Sequence, residues 1–464
     1  LTSQTHTTSH SAFERFLRLF ADVRSREGST ACILIGNIFL ILAAYYLIKP
    51  VREGWLAISV LQGFTSLEVK AYSAFGQSVL LFLVLPIYAG LATRWTRRQL
   101  ITRVGLFFGA ILLLFWITQP GFIFTSVPYL GLAFYLFVGV FSVTLVAQFW
   151  SFASDLYGPE RGKRLFPLVA IGASAGAVFG SWIGESFVKS NLVDPFDLIL
   201  FAIAPLAAAI LFANWSDKRG TYGQPSQGTT DRWSEPAAPE GEGSFNLIRR
   251  YRYLSATAAM TLIFSWVVAS GDNILFGYVQ QTLQDELTAS GASAEARTAL
   301  LRTATTAFYG NLYFWINLIG LMLQAFIVSR ILRYAGFGWL MLATPLVSLA
   351  AYASMLVTPL LSIIKVMKIA ENSSNYSVNN TARHILWLPT TKEMLYQAKP
   401  TIDTLFVRLG DGLAALTVLF GTRIFELSII NFVTINLVLI VMWLAIAGFL
   451  VREHKKWNTN GPST

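Results

Sequence analysis

A chain of 464 residues that is 54% hydrophobic and only 13% charged is too apolar for a water-soluble globular protein, in which charged residues run near a quarter. Its formal net charge of +10 falls in short loops between apolar runs, with no motif that reads DNA or RNA, which excludes nucleic acid as the reason for the basic excess. One cysteine, Cys32, excludes an internal disulfide.

Residues 1–30 are polar, carry four arginines and lack the pattern of a cleavable signal peptide, so they are expected to form a cytoplasmic N-terminal segment. Twelve runs of roughly 20 apolar residues follow, each long enough to cross a bilayer as a helix. They cover residues 31–48, 71–92, 101–117, 127–153, 165–188, 196–213, 254–275, 304–328, 337–356, 360–378, 402–419 and 427–451. Between the sixth and seventh, residues 216–253 are rich in Gly, Ser, Pro, Asp and Glu, the composition of a flexible linker. The expected fold is an all-α membrane protein with twelve transmembrane helices in two six-helix bundles, 31–215 and 254–451, followed by a tail at 452–464. This plan resembles the major facilitator superfamily, whose signature loop would fall at residues 90–98. The tail is compatible with a further cytoplasmic domain beyond the C-terminus.

The basic residues choose the orientation. With the N-terminus cytoplasmic, the inner loops hold Arg94, Arg97, Arg98 and Arg103, then Arg161, Lys163 and Arg164, then Arg330 and Arg333, then Arg383, Lys392 and Lys399. The loops after the third and ninth runs hold no charge, so both termini are expected inside, in a bacterial inner (cell) membrane. Arg94, Asp155, Arg161, Lys163 and Lys392 are candidates for loop-end pairs that gate one side of a carrier, with solvated loop charges as the alternative.

Gly172, Gly176, Gly180 and Gly184 recur every four residues in the fifth run and lay a smooth groove along one helix face, suited to close helix packing. The spacing is helical, with neither a preceding strand nor a following Lys-Ser/Thr pair, which argues against a phosphate-binding loop. His6, His10, His384 and His454 are scattered and read as loop or tail residues. No metal-ligand cluster or nucleophile motif is present, so neither an enzyme nor a metal or cofactor is expected.

The charges inside apolar runs carry the functional information, because a Lys near the bilayer centre costs about 2.5–3.5 kcal/mol and so faces a cavity or a partner. In the tenth run Lys365, Lys368, Asn372, Asn375 and Asn379 share one helical face, with Glu371 beside them. In the first run Tyr45, Lys49 and Arg52 share a face, with Glu53 adjacent and Pro50 interrupting the backbone ladder. The two cations there either bind an anion or snorkel to the surface. In the seventh, Trp266, Ser270, Asn273 and Gly277 form a polar wall beside Asp272. In the eleventh, Arg408 and Asp411 stand three apart between Gly410 and Gly412, as an ion pair or as part of a site. The candidate substrate-binding set is Tyr45, Lys49, Arg52, Asp272, Asn273, Lys365, Lys368, Asn372, Asn375, Arg408 and Asp411. Cations gathered at low dielectric call for an anionic guest, unless Asp272, Glu371 and Asp411 pair them internally.

Two inner-loop motifs resemble the ATP/ADP translocases of bacteria and plastids. One is Phe149-Trp150-Ser151-Phe152-Ala153 with Gly162-Lys163-Arg164-Leu165-Phe166-Pro167-Leu168 and Gly172-Ala173. The other is Lys392-Glu393-Met394-Leu395-Tyr396 with Lys399, Ile402-Asp403 and Leu409-Gly410, joined more loosely by Tyr46-Leu47-Ile48-Lys49 with Arg52-Glu53. The resemblance implies a nucleotide exchanger on the facilitator fold. It also implies functional charges in the first, fourth, seventh and eleventh spans. Arg52 keeps the first, and Asp272 or Asn273 stands at the third position. Apolar Phe137 or Val138 replaces the family's Glu, and Asp411 replaces its Lys.

The expected function is a carrier exchanging ATP/ADP or a related phosphorylated anion by alternating access, with the lipid bilayer and that small anion as its partners. The alternatives are a proton-coupled transporter of a different anionic metabolite and a non-transporting membrane sensor or anchor.

Overall fold

The computed structural model describes residues 28–59, 61–123, 129–156, 159–190, 192–220 and 243–460. Residues 221–242, the body of the expected linker, lie outside the described residues. Among those described, the regular structure is helical, without strands. In chain order the principal helices are α1 (Gly28–Ala57), α2 (Ser66–Arg94), α3 (Arg97–Ile117), α4 (Leu130–Leu156), α5 (Pro159–Lys189), α6 (Asp197–Gly220), α7 (Arg252–Ala289), α8 (Ala294–Met322), α9 (Gly336–Val357), α10 (Leu361–Ser374), α11 (Val407–Arg423) and α12 (Ile429–Asn460). Helix starts follow the local sequence where a cap is present. Thr96 opens α3 with a capping box, its hydroxyl accepting from the Gln99 amide at 3.4 Å while the Gln99 side chain accepts from the Thr96 amide at 3.2 Å.

Ten helical stretches among the described residues are long and apolar enough to cross a membrane. The expected eighth and ninth runs fall in one stretch, Ala294–Val357, which holds π-helical turns at Leu323–Ile327 and Ile331–Ala335 and turns at Gly336, where φ is 81°. The expected tenth run is not among the ten. Its helix α10 is 14 residues long, carries Lys365, Lys368 and Glu371, and passes into a π turn at Asn375–Asn379 before resuming at Asn380–Leu386. The polar stripe that marked this run is what lowers its apolarity.

The chain divides into two compact units. Unit one comprises Leu1–Val51, Leu83–Val127 and Phe137–Ser234. Within it the glycine groove of α5 lies against the α1 backbone. A β-carbon at Gly172 would stand 2.8 Å from the Ile35 carbonyl oxygen, and at Gly176 and Gly180 it would be closer still to those of Phe39 and Ala43. Glycine is required there because two backbones meet, as the sequence spacing indicated. Helices α3 and α6 pack on each other, with Trp116 Nε1 donating to Asp197 at 2.9 Å. The Phe108, Phe137 and Phe141 rings fill the space beside α4, with Phe108 5.8 Å from Phe137 and 5.3 Å from Phe141.

Unit two comprises Arg52–Phe82, Pro128–Leu136 and Glu235–Thr464. Helix α7 is its spine, packed along α11 and α12. Backbones approach closely at two glycines. A β-carbon at Gly410 would stand 2.6 Å from the Leu262 carbonyl oxygen, and one at Gly54 would collide with Thr306 on α8. His454, expected in a solvated tail, is instead buried. Its Nδ1 lies 3.0 Å from the Tyr253 hydroxyl and its ring packs 4.2 Å from Phe337, because α12 runs on to Asn460 as a helix.

Candidate functional site

The densest buried charge in unit two is built where α1 ends and α2 begins. Pro50 deprives the α1 ladder of one amide donor just before Arg52 and Glu53. Glu53 is fully buried, and both of its carboxylate oxygens are taken. Oε1 accepts from Arg52 Nη2 at 2.6 Å and Nε at 3.1 Å, and Oε2 accepts from Lys70 Nζ at 2.5 Å. The Tyr135 ring of α4 lies under both cations, 4.3 Å from the guanidinium and 4.7 Å from the ammonium, and Phe276 of α7 flanks Lys70 at 5.4 Å. Arg52 and Lys70 are thus buried in protein, each held by rings as well as by the carboxylate. For Arg52 the snorkelling alternative does not apply. Tyr309 and Tyr313 of α8 continue the aromatic lining, with Tyr309 6.4 Å from Phe276 and 5.8 Å from Tyr313.

A second group centres on Lys368, which is fully buried on α10. Its ammonium donates to Glu371 at 2.6 Å and lies 3.7 Å from Asp272 of α7, whose carboxylate side chain is 53% exposed. Ser348 donates to Glu371 at 3.3 Å. The glycine at 271 makes room for this, since a β-carbon there would stand 2.8 Å from Lys368 Nζ. Asn273 is buried one position on, and Lys365 lies half-buried over the Phe308 ring at 5.0 Å. The polar face runs on through buried Asn372 to Asn379, which donates to Asn375 at 3.0 Å inside the π turn.

A third group joins α11 to α2. Arg408 donates to Asp411 at 3.0 Å, and Ser78 donates to the same Asp411 oxygen at 2.8 Å. The ion pair, one of the two readings of this spacing, forms within α11, with a hydroxyl from another helix added. Further along the same two helices, Arg423 Nε pairs with buried Glu68 at 2.6 Å, and Thr422 donates to that carboxylate at 2.8 Å.

The remaining candidates divide by unit. Tyr45 and Lys49 belong to unit one, where the buried Lys49 ammonium lies 5.5 Å from the Tyr45 ring and 5.0 Å from that of Tyr46. Arg94 and Lys392 are exposed, and the side chains of Asp155, Arg161 and Lys163 lie outside the described residues. Near Lys392 in the sequence, in unit two, an ion group forms with Asp403 between Arg383 at 2.8 Å and Lys399 at 2.6 Å. Lys70 was missed by sequence reading. It is the lone base of the early α2 sequence, and its partner Glu53 is 17 positions away on another helix, beyond the reach of any helical spacing rule.

No protein-family model matches the chain. Among curated proteins it is 24% identical over 303 residues to ADP,ATP carrier protein 1 of Chlamydia trachomatis, which covers 58% of this chain and 54% of that protein. It is 23% identical over 322 residues to its counterpart in Chlamydia pneumoniae, covering 61% and 59%. The chain spans little more than half the length of these curated relatives. Among solved structures, the bacterial homologue of the human lysosomal transporter Spinster, inward-facing and unoccupied, aligns with a TM-score of 0.55 at 13% identity over 95% of this chain and 99% of that one. The human organic anion transporter MFSD10 (TETRAN) aligns with a TM-score of 0.56 at 14% identity over 91% and 100%. The nucleoside transporter NupG aligns with a TM-score of 0.55 at 14% identity over 92% and 98%. The chain therefore has the major facilitator fold, and in sequence it is a relative of the ADP,ATP carrier proteins.

Proposed function

We propose that this chain is an integral membrane carrier that exchanges adenine nucleotides, or a closely related phosphorylated anion, by alternating access. The observation that carries the reading is the convergence of Arg52 and Lys70 on a single pair of carboxylate oxygens inside an aromatic wall. Two oxygens of a phosphate group offer a guanidinium and an ammonium the same acceptors, and aromatic rings suit a purine. The names of the curated relatives point to the same substrate class.

The reading places twelve spans in two six-helix bundles, 31–215 and 254–451, with both termini inside a bacterial cell membrane. A helical stretch of 64 residues would be about 95 Å long, three times a hydrocarbon core, so Ala294–Val357 counts as two passes, and the interrupted α10 supplies the other missing one. Arg94, Asp155, Arg161, Lys163 and Lys392 remain the gating candidates, now with Arg383, Lys399 and Asp403 beside them.

The test is exchange of labelled ATP for internal ADP by the purified full chain in liposomes. Lys70→Gln removes a charge-assisted hydrogen bond worth about 1.5–3 kcal/mol and is expected to lower exchange by about 10- to 100-fold. No uptake above empty vesicles under any counter-gradient would end the proposal.

One observation favours a second reading, proton-coupled transport of a different anion: Asp411, with Ser78 and Arg408, holds the place where the translocase resemblance implies a Lys. Transport that is independent of pH and unaltered by Asp411→Asn would count against it.

A further inference from the structure

We infer that Glu53 is a built-in stand-in for the transported anion, which neutralises Arg52 and Lys70 while the carrier is empty and so lets it reorient without cargo. The inference rests on the reading of these two cations as the anion site.

Three observations support it. Glu53 is fully buried and gives one oxygen to each cation, the arrangement a bound phosphate would take, so substrate and Glu53 compete for the same donors. The cations have a second support besides Glu53, because the Tyr135 ring lies 4.3 Å from Arg52 and 4.7 Å from Lys70, with Phe276 5.4 Å from Lys70. One anion can therefore replace another on a fixed pair. Tyr309, the next ring beyond Phe276 at 6.4 Å, is buried, its hydroxyl has no hydrogen-bond partner among the described residues, and it offers a donor to a displaced carboxylate. A carrier whose site holds only cations is locked when empty, because moving unpaired buried charge is costly. That cost enforces strict exchange, and an internal carboxylate relieves it.

The experiment compares net uptake, into vesicles with no internal nucleotide, with exchange, and measures binding of ATP and of tripolyphosphate to the purified full chain. In the wild type, net uptake is expected within about tenfold of exchange, and strict dependence on internal nucleotide would overturn the inference. In Glu53→Gln the ratio of net uptake to exchange is expected to fall about tenfold, with tripolyphosphate binding about tenfold tighter as the competitor is lost. Glu53→Asp, which keeps the charge, should restore the ratio. If ATP is not carried but tripolyphosphate still binds Glu53→Gln more tightly than wild type, the nucleotide reading falls and the stand-in holds. If ATP is carried while Glu53→Gln binds no tighter and its ratio is unchanged, the stand-in falls and the carrier reading holds.

Discussion

Among the described residues, unit one has its closest helix contacts along a row of glycines, whereas unit two adds clustered ionic groups to its glycine contacts. In unit one, α5 meets α1 along Gly172, Gly176 and Gly180, where no side chain stands between two backbones. In unit two, helices meet at ionic groups: Arg52 and Glu53 of α1 with Lys70 of α2, Lys368 and Glu371 of α10 with Asp272 of α7 and Ser348 of α9, and Arg408 and Asp411 of α11 with Ser78 of α2. All five π-helical turns among the described residues lie in unit two as well, one of them at Asn375–Asn379 in the polar face of α10. Backbone packing at van der Waals distance has one good arrangement and fails as soon as it is spread. Ionic contacts can exchange partners, and π turns tend to accompany functional sites. On that contrast the first unit is expected to be the more rigid and the second the more able to rearrange.

The largest expected effect tests the ionic side. Lys368→Met leaves Glu371 buried without its ammonium and should destabilise the protein by about 3–5 kcal/mol, read as a fall in thermal midpoint in detergent. The double variant Lys368→Met with Glu371→Leu should recover most of that loss, because an apolar pair of similar volume avoids the desolvation cost. If the double variant is as unstable as the single one, the pair is structural in a way the comparison does not allow. The next effect tests the packing side. Gly176→Leu forces α5 off the Phe39 carbonyl and should cost at least about 1–3 kcal/mol, with no second-site polar change able to restore it. A mild effect would mean that the groove yields, and the contrast in rigidity between the units would fail.

How much of this was legible beforehand follows from the range over which each signal acts. Apolar runs, the four-residue glycine period and the three-four spacing of Lys365, Lys368 and Asn372 are local patterns, and each appears in a helix as the sequence indicated. Partner choice is not local. Whether Arg52 faces lipid, substrate or Glu53 depends on where α2 places Lys70 and where α4 places Tyr135. His454 looked like a tail residue because nothing in a sequence says that α12 continues past the apolar run into contact with Tyr253 and Phe337. The π turn at Asn375–Asn379 likewise had no signature, although it re-phases the very stripe that the spacing revealed.

Glycine gives the sharpest form of this limit, and the smallest predicted effect. Gly90 and Gly176 both lie inside helices, in the parts of α2 and α5 that belong to unit one, and both have apolar sequence neighbours. A β-carbon at Gly176 would strike the Phe39 carbonyl, whereas one at Gly90 meets nothing within 4 Å. Where no neighbour is approached, glycine only adds backbone freedom to the unfolded chain, so Gly90→Ala should stabilise by about 0.4–1 kcal/mol, a small rise in thermal midpoint. The same change at Gly176 should lower it. If both substitutions move the midpoint in the same direction, close backbone approach is not what sets the cost, and the rigidity assigned to unit one loses its physical basis.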